Sequence, residues 1–393
     1  MLAAGPSRIV NRPRLLLIAA IAAFLTLAAC GDSGASGQGA ATRQVIPERL
    51  TNTEFVQLIV AFSEPSGFFD TDNLISNETS YLHAIDRLRE LGISGGVYVG
   101  VGPGQNFSYI GQVRPRIAFI IDIRRDNLLQ HLLYKTLFAL GSTRVEYLCL
   151  LTGRSAPDNP QEWQDRSVAE LVEYVDARSA DVDVVSRART AIVDRIMTFG
   201  LPLTETDVAT VLRFYQAFVE AGLNLRFESF NRPPRPDYPT LRQLLLETDR
   251  AGSHANYLAA EDAFRFLQSL ESRNLIVPVV GDLAGAHALK AIGRYVADAG
   301  ESVLAFYTSN VEFYLMRQGG FVQYTENVKS LPVDERSVII RSYFNRGFSR
   351  TLPEHVSGYN STQLTQNISE FVSAYESGSY RTYWDLVGAS GRR

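Results

Sequence analysis

The chain has 393 residues, 46% hydrophobic and 20% charged, with a formal net charge of −4. That composition excludes a disordered or multispanning protein and supplies apolar material for one large α/β domain or two smaller ones. No Lys/Arg-rich run occurs, so a nucleic-acid partner has no electrostatic footprint.

Arg8, Arg12 and Arg14 form a basic region ahead of LLLIAAIAAFLTL (Leu15 to Leu27), which is short for a bilayer span. It ends in Leu27-Ala28-Ala29-Cys30, which resembles a bacterial lipobox. The resemblance implies cleavage before Cys30, lipidation of Cys30 and an outward-facing place in the cell envelope. Gly31 after the cysteine implies outer-membrane sorting where there are two membranes. The residues alone also admit a plain signal peptide or an uncleaved anchor. GDSGASGQGAATRQ (Gly31 to Gln44) cannot bury apolar surface and predicts a flexible tether. The expected organisation is a signal peptide at 1–29, a tether at 30–46 and a single domain at 47–393. Cys149, the other cysteine, sits in the apolar VEYLCLLTG and reads as a small buried hydrophobe. The five histidines form no HxxxH or HxH, so zinc-ligand spacing is missing.

Helical periodicity predicts a helix over 51–62 after a Thr cap and another over 77–91, stopped by Gly92. The polar and aromatic SEPSGFFDTDNLIS lies between them as a loop. GVYVGV (96–101) and RIAFIIDI (116–123) read as strands around the helical turn NFSYIGQV, which is the unit of a parallel sheet. Residues 126–222 read as helix after helix, a helical insertion, with LNLRF as a candidate strand at its end. FNRPPRPDYP (230–239) is expected to be an ordered surface loop whose arginines either hold an acidic ligand or are solvated. NLIVPVVGD (274–282), ESVLAFYT (301–308) and RSVIIRSYF (336–344) return the strand pattern, with helices between them and two more at the C-terminus. The expected class is α/β, a doubly wound and mostly parallel sheet with the helical insertion at about 126–222.

Ligands of open parallel sheets bind at the carboxyl ends of the strands. Gly100, Gly102 and Gly104 follow the first strand, Asp122 ends the second, and Asp282 ends the strand beginning at Leu275. Glycines let backbone approach a ligand, and a strand-end carboxylate can accept both hydroxyls of a ribose. The glycines run G-x-G-x-G, with Gln105 where a dinucleotide loop has its third, and no GK[ST] follows, which excludes a P-loop. A tight turn is the structural alternative for the glycines, and helix capping for Asp282, Asn77 and Glu78. Tyr307, Thr308, Ser309 and Asn310 end the next strand, either facing the same crevice or capping the helix after it. No GxSxG and no Ser-His-Asp order occurs.

A GxGxG loop with an acid about twenty residues on resembles the cofactor half of class I S-adenosylmethionine-dependent methyltransferases. The resemblance implies a Rossmann-like fold, Gly100, Gly102 and Gly104 under the methionine part of the cofactor, Asp122 on its ribose, and Asp282 on the substrate side. Tyr307 and Asn310 are further substrate-side candidates. Tyr98 stands where that family often has an acid, leaving Glu78 as the candidate for the cofactor's amino group. The stretch Ile121 to Arg154 is similar to the segment after the second strand in aminocarboxypropyl transferases of betaine-lipid synthesis, which transfer the cofactor's amino-acid arm. The resulting expectation is an envelope-anchored protein that binds S-adenosylmethionine or a related nucleoside and, if active, is a transferase. The alternatives are a non-catalytic ligand-binding or scaffold lipoprotein and an aminocarboxypropyl transferase acting on lipid. A cytosolic cofactor and an outward-facing domain pull against each other, and the sequence leaves that tension open.

Overall fold

Strands β1 (Val97–Gly100), β2 (Ile117–Asp122), β3 (Ile276–Val280), β4 (Val303–Ser309), β5 (Val338–Phe344) and β6 (Ser361–Asn367) form one sheet in the order β3-β2-β1-β4-β5-β6. Every pairing is parallel except β5 with β6. The computed structural model describes residues 45–233, 235–345 and 351–390, so the stretch read as a signal peptide, Cys30 and most of the expected tether lie outside the described residues. The described residues belong to one compact unit, Arg43–Arg393.

The first three strands are buried along their whole length apart from Asp122, as a parallel sheet covered on both faces requires. Their apolar runs, VYVG, IAFIID and IVPVV, follow from that burial. The chain moves outward from β1 to β3, then returns to β4 and β5 on the other side of β1. Right-handed crossovers therefore place the two sets of helices on opposite faces. Helices α1 (Asn52–Phe62), α2 (Ile85–Glu90) and α3 (Asn106–Val113) precede the helical block, which α4 (Arg125–Leu140) opens. That block continues with α5 (Arg144–Thr152), α6 (Val168–Asp176), α7 (Val182–Met197) and α8 (Glu205–Ala221). Helices α9 (Leu241–Leu245), α10 (Glu261–Ser272) and α11 (Ala288–Asp298) lead into β4. Helices α12 (Val311–Gln318) and α13 (Phe321–Lys329) join β4 to β5, and α14 (Ile368–Glu376) and α15 (Tyr383–Ala389) close the chain. Capping boxes at Thr51, Ser167 and Thr204 fix the starts of α1, α6 and α8.

Three expectations need correction. The helix read over 77–91 begins only at Ile85, after a 3-10 turn at Tyr81–Ala84, and residues 77–80 are outside it. LNLRF forms no strand; Arg226 makes an isolated bridge to Thr240. RSVIIRSYF is not the last strand, because β6 pairs with it along its whole length.

Candidate functional site

The sheet order reverses between β1 and β4, where the crevice of a doubly wound sheet opens. A cleft of about 1180 Å³, its open mouth included, lies there. Gly102, Asp122, Glu78, Asp282, Ser309 and Asn310 all line it. Gly100, Gly104 and Tyr307 do not.

The three glycines have separate jobs. A Cβ on Gly100 would overlap Asn106 Oδ1 and stand 2.7 Å from the Tyr98 ring, so this glycine makes room for packing beneath the loop. Gly102 has φ +83°, a conformation glycine tolerates best, and faces the cleft beside Gln105 and Asn73. Gly104 borders a smaller apolar cavity of about 440 Å³ between the loop and the helical block. Fully buried Asn106 ties the loop together. Its amide donates to the carbonyls of Val101 (2.9 Å), Gly102 (3.2 Å) and Pro103 (2.8 Å), while its Oδ1 accepts from the Tyr98 hydroxyl at 2.8 Å. Tyr98 is thus a loop support rather than a ligand contact. Below the loop, burial lowers His131 to about 4; its Nε2 lies 3.0 Å from the Gly102 carbonyl oxygen, so the neutral ring donates there.

Asp122 ends β2 as expected, but it has a partner the sequence reading passed over. Arg124, two residues on, donates from Nε to Oδ1 (3.1 Å), from Nη2 to Oδ2 (3.0 Å) and from its backbone N–H to Oδ1 (2.9 Å). A carboxylate offers roughly four acceptor positions. Three are taken, so Asp122 has room for one ligand hydroxyl where a free carboxylate would take two. Arg124 also holds the carbonyls of Thr71 and Asp72, which binds the segment before the 3-10 turn across the ends of the strands.

That segment, residues 63–76, is a strap. Its Glu64 occupies the loop after β3, accepting from the backbone N–H groups of Asp282 (3.1 Å), His287 (2.6 Å) and Ala288 (3.2 Å). The N-terminus of α11 is therefore filled by the protein's own carboxylate. Asp282 accepts from Ala284 N–H at 2.8 Å, a local turn, while its side of the loop faces the cleft. Glu64→Gln should cost about 1–3 kcal/mol, because amide hydrogens would meet backbone donors; the urea midpoint measures it, and an unchanged midpoint would contradict this role.

Farther along, Asp70 pairs with Arg232 and Phe230 N–H donates to the Asp70 carbonyl at 2.8 Å, so the proline-rich loop is the strap's partner across the cleft mouth. The mouth is walled by Phe69 against Tyr314 (5.1 Å between centroids) and by Phe227 against Tyr238 (5.0 Å). Burial raises Asp72 from 3.8 to about 6, with the Glu228 carboxylate adding to the rise and backbone hydrogen bonds opposing it. A carboxyl raised in the fold stabilises it fully below about 3.8, and that contribution is lost as pH climbs through about 6. Asp72→Asn should therefore flatten the decline in urea midpoint between pH 4 and 7, an effect on the order of 1–2 kcal/mol after screening. Superimposable profiles would overturn it.

Glu78 ends this path. It is 1% exposed, and its Oε2 accepts from the Tyr307 hydroxyl (2.8 Å) and Gln363 Nε2 (3.0 Å) while Oε1 accepts from the Ser309 hydroxyl. Burial pushes its carboxyl above the ordinary range, against the pull of those donors. Asn310 makes no side-chain cap on α12, so the capping alternative for this strand end finds no hydrogen bond. Arg232, expected either to hold an acidic ligand or to be solvated, instead pairs with Asp70 of the strap, while Arg124 and Glu64 carry no sequence signal because Glu64 meets a loop distant in sequence and Arg124 stands in a two-residue repeat of charge. Among the described residues, no group of three or more His, Cys, Asp or Glu is placed to hold a metal ion. No described helix is long and apolar enough to cross a membrane.

A family model described as a domain of unknown function (DUF7790) matches residues 74–195 and 205–382. The match takes in Glu78, the glycine loop, Asp122, Asp282 and Ser309. No curated protein matches the chain.

Proposed function

The chain belongs to that family, and from the residues its cleft brings together we propose that it binds a nucleoside-type ligand, S-adenosylmethionine or a related compound, as a methyltransferase-like domain tethered to the cell envelope through Cys30. The observation that carries the reading is the meeting of Gly102 and Asp122 on one cleft at the reversal of strand order. Gly102 offers backbone for close approach, and the remaining acceptor position of Asp122 suits one ribose hydroxyl. The aromatic pairs at the mouth suit a planar base. S-adenosylmethionine would supply a sulfonium-activated carbon. The protein's own part would be to position, to exclude water through the strap, and to balance charge through Asp122 and Arg124. Glu78, in the cleft wall, holds the Tyr307 and Ser309 hydroxyls at the end of β4.

Calorimetry on the full chain, purified in detergent, with S-adenosylmethionine and S-adenosylhomocysteine tests the reading. Binding in the micromolar range supports it, and no heat at millimolar ligand overturns it. Asp122→Ala should weaken binding about tenfold to a hundredfold, the loss of one charge-assisted hydrogen bond and of Arg124's anchor. Turnover yielding methylthioadenosine in place of S-adenosylhomocysteine would identify the amino-acid-arm transferase. Acid-stable labelling of Cys30 by a fatty acid in cells tests the anchor.

A further inference from the structure

Ser309 combines three features that no packing need explains. It has φ +53°, a backbone conformation costly for a residue with a side chain. The pairing of β4 with β5 slips between Tyr307 and Ser309, with Thr308 as the extra residue, and such bulges re-aim the side chain that follows. Only Asn310 separates it from α12, so the residue sits on a sharp strand-to-helix turn. Ser309 lines the cleft, and its hydroxyl donates to the buried carboxylate of Glu78.

We propose that Ser309 is a nucleophile, activated by Glu78, that takes an acyl group from an ester bound in the cleft. The strained turn holds Oγ at the head of the sheet beside the N-terminus of α12, where the Asn310 carbonyl takes Phe313 N–H at 3.2 Å and the N–H groups of Val311 and Glu312 would be the donors to a developing oxyanion. Oγ attacks the ester carbonyl carbon while Glu78 takes its proton. Collapse breaks the C–O bond to the alcohol, which leaves with the proton from Glu78. Water then attacks the acyl-serine, giving a proton to Glu78, and Ser309 leaves with that proton as the carboxylic acid is released. The sum is ester plus water to acid plus alcohol. The acyl side is apolar, because Val101, Ile121, Val311 and Leu315 line the cleft with the aromatic pairs of its mouth. The sequence lacked the usual glycines at the two flanking positions; Tyr307 fits there because its ring turns inward against Tyr109, centroids 4.9 Å apart, and its hydroxyl reaches Glu78.

The groups that face Glu78 are the phenols of Tyr307 on β4, Tyr98 on β1, Tyr109 on α3 and Tyr383 on α15, all raised by burial and so neutral in the working range. Glu78 is thus the group whose ionisation governs the nucleophile.

The test is a fluorophosphonate probe and p-nitrophenyl butyrate on the full chain. One adduct on Ser309, found by peptide mass spectrometry, is expected, with ester hydrolysis in parallel. Both vanish in Ser309→Ala and Ser309→Gly; glycine suits the positive φ, so Ser309→Gly keeps the fold. Glu78→Gln should slow labelling about a hundredfold, and the wild-type rate should fall with a midpoint above the ordinary carboxylate range as pH is lowered. The pH profile decides should Glu78→Gln fail to fold. An adduct elsewhere, no adduct, or labelling of Ser309 that ignores both Glu78→Gln and pH would overturn the assignment. Failure of nucleoside binding leaves it standing, since the label reads Ser309 alone.

Discussion

Asn106→Ala is expected to lower stability by about 3–5 kcal/mol, enough to threaten a domain whose whole margin is about 5–15 kcal/mol. The amide of this fully buried residue serves three carbonyls of the glycine loop, and its oxygen receives the Tyr98 hydroxyl. Alanine strips the buried Tyr98 phenol and the Val101 carbonyl of this partner, while the Gly102 carbonyl keeps His131 and the Pro103 carbonyl keeps the backbone N–H of residue 106. Asn106→Asp separates hydrogen bonding from shape. It keeps the volume and the acceptor for Tyr98, yet turns a donor into an oxygen facing three oxygens, so it should be at least as damaging as alanine. Urea denaturation of both variants measures this, and a loss under about 1 kcal/mol in either would remove Asn106 from its place as the loop's hub.

The second large effect lies behind the cleft. Arg341 on β5 is fully buried and donates to both oxygens of Glu312 on α12 at 2.6 and 3.1 Å, to Gln366 on β6 at 2.7 Å, and to Ser390. Tyr324 on α13 donates to the same carboxylate at 2.9 Å. Arg341→Met should cost about 3–5 kcal/mol, because it strands Glu312 as an unpaired buried charge. The double replacement Arg341→Met with Glu312→Leu should recover most of that loss, since neither charge then remains to be paid for in desolvation. Chemical denaturation of the two single variants and the double variant gives the coupling. If the double variant is no better than the single, the cost comes from packing and not from the stranded charge. The pair also ties α12, which begins directly after Asn310, to β5.

What was legible in the sequence was whatever leaves an apolar signature. IAFIID and VLAFYTS had to be buried on both faces, and the parallel strands were read where they lie. The glycine loop and Asp122 were found because chain spacing alone brings strand ends together. Strand β6 was not found, and its residues show why. STQLTQN has one apolar side chain; its buried polar members include Gln363, which donates to Glu78, and Gln366, which accepts from Arg341. A strand held by polar partners has no hydrophobic alternation to betray it. The helix read over 77–91 was overextended for a related reason. Its first turn is drawn out of helical form where Glu78 enters the sheet end to meet Tyr307 and Ser309, and local propensity yields to those distant donors. Arg124 stands two residues from Asp122, close enough in sequence to be its partner, but a strand-end carboxylate carries the same signature whether it meets a ribose or a neighbouring guanidinium.

The strap and Glu78 stand near the beginning of the folded chain, while their partners stand near its end. Glu64 waits for Asp282, 218 residues later; Glu78 waits for Tyr307 and then for Gln363, 229 and 285 residues later. During synthesis at roughly 5–20 residues per second, that last interval alone takes on the order of 15–60 seconds. A chain emerging N-terminus first, from a ribosome or through a translocation pore, therefore holds its strap and a buried-to-be carboxylate in solvent until nearly all of it has appeared. An N-terminal fragment that stops before Ser309 lacks both part of the cleft wall and the donors that hold Glu78. Vectorial order therefore delays assembly of the cleft until β4 and α12 have emerged.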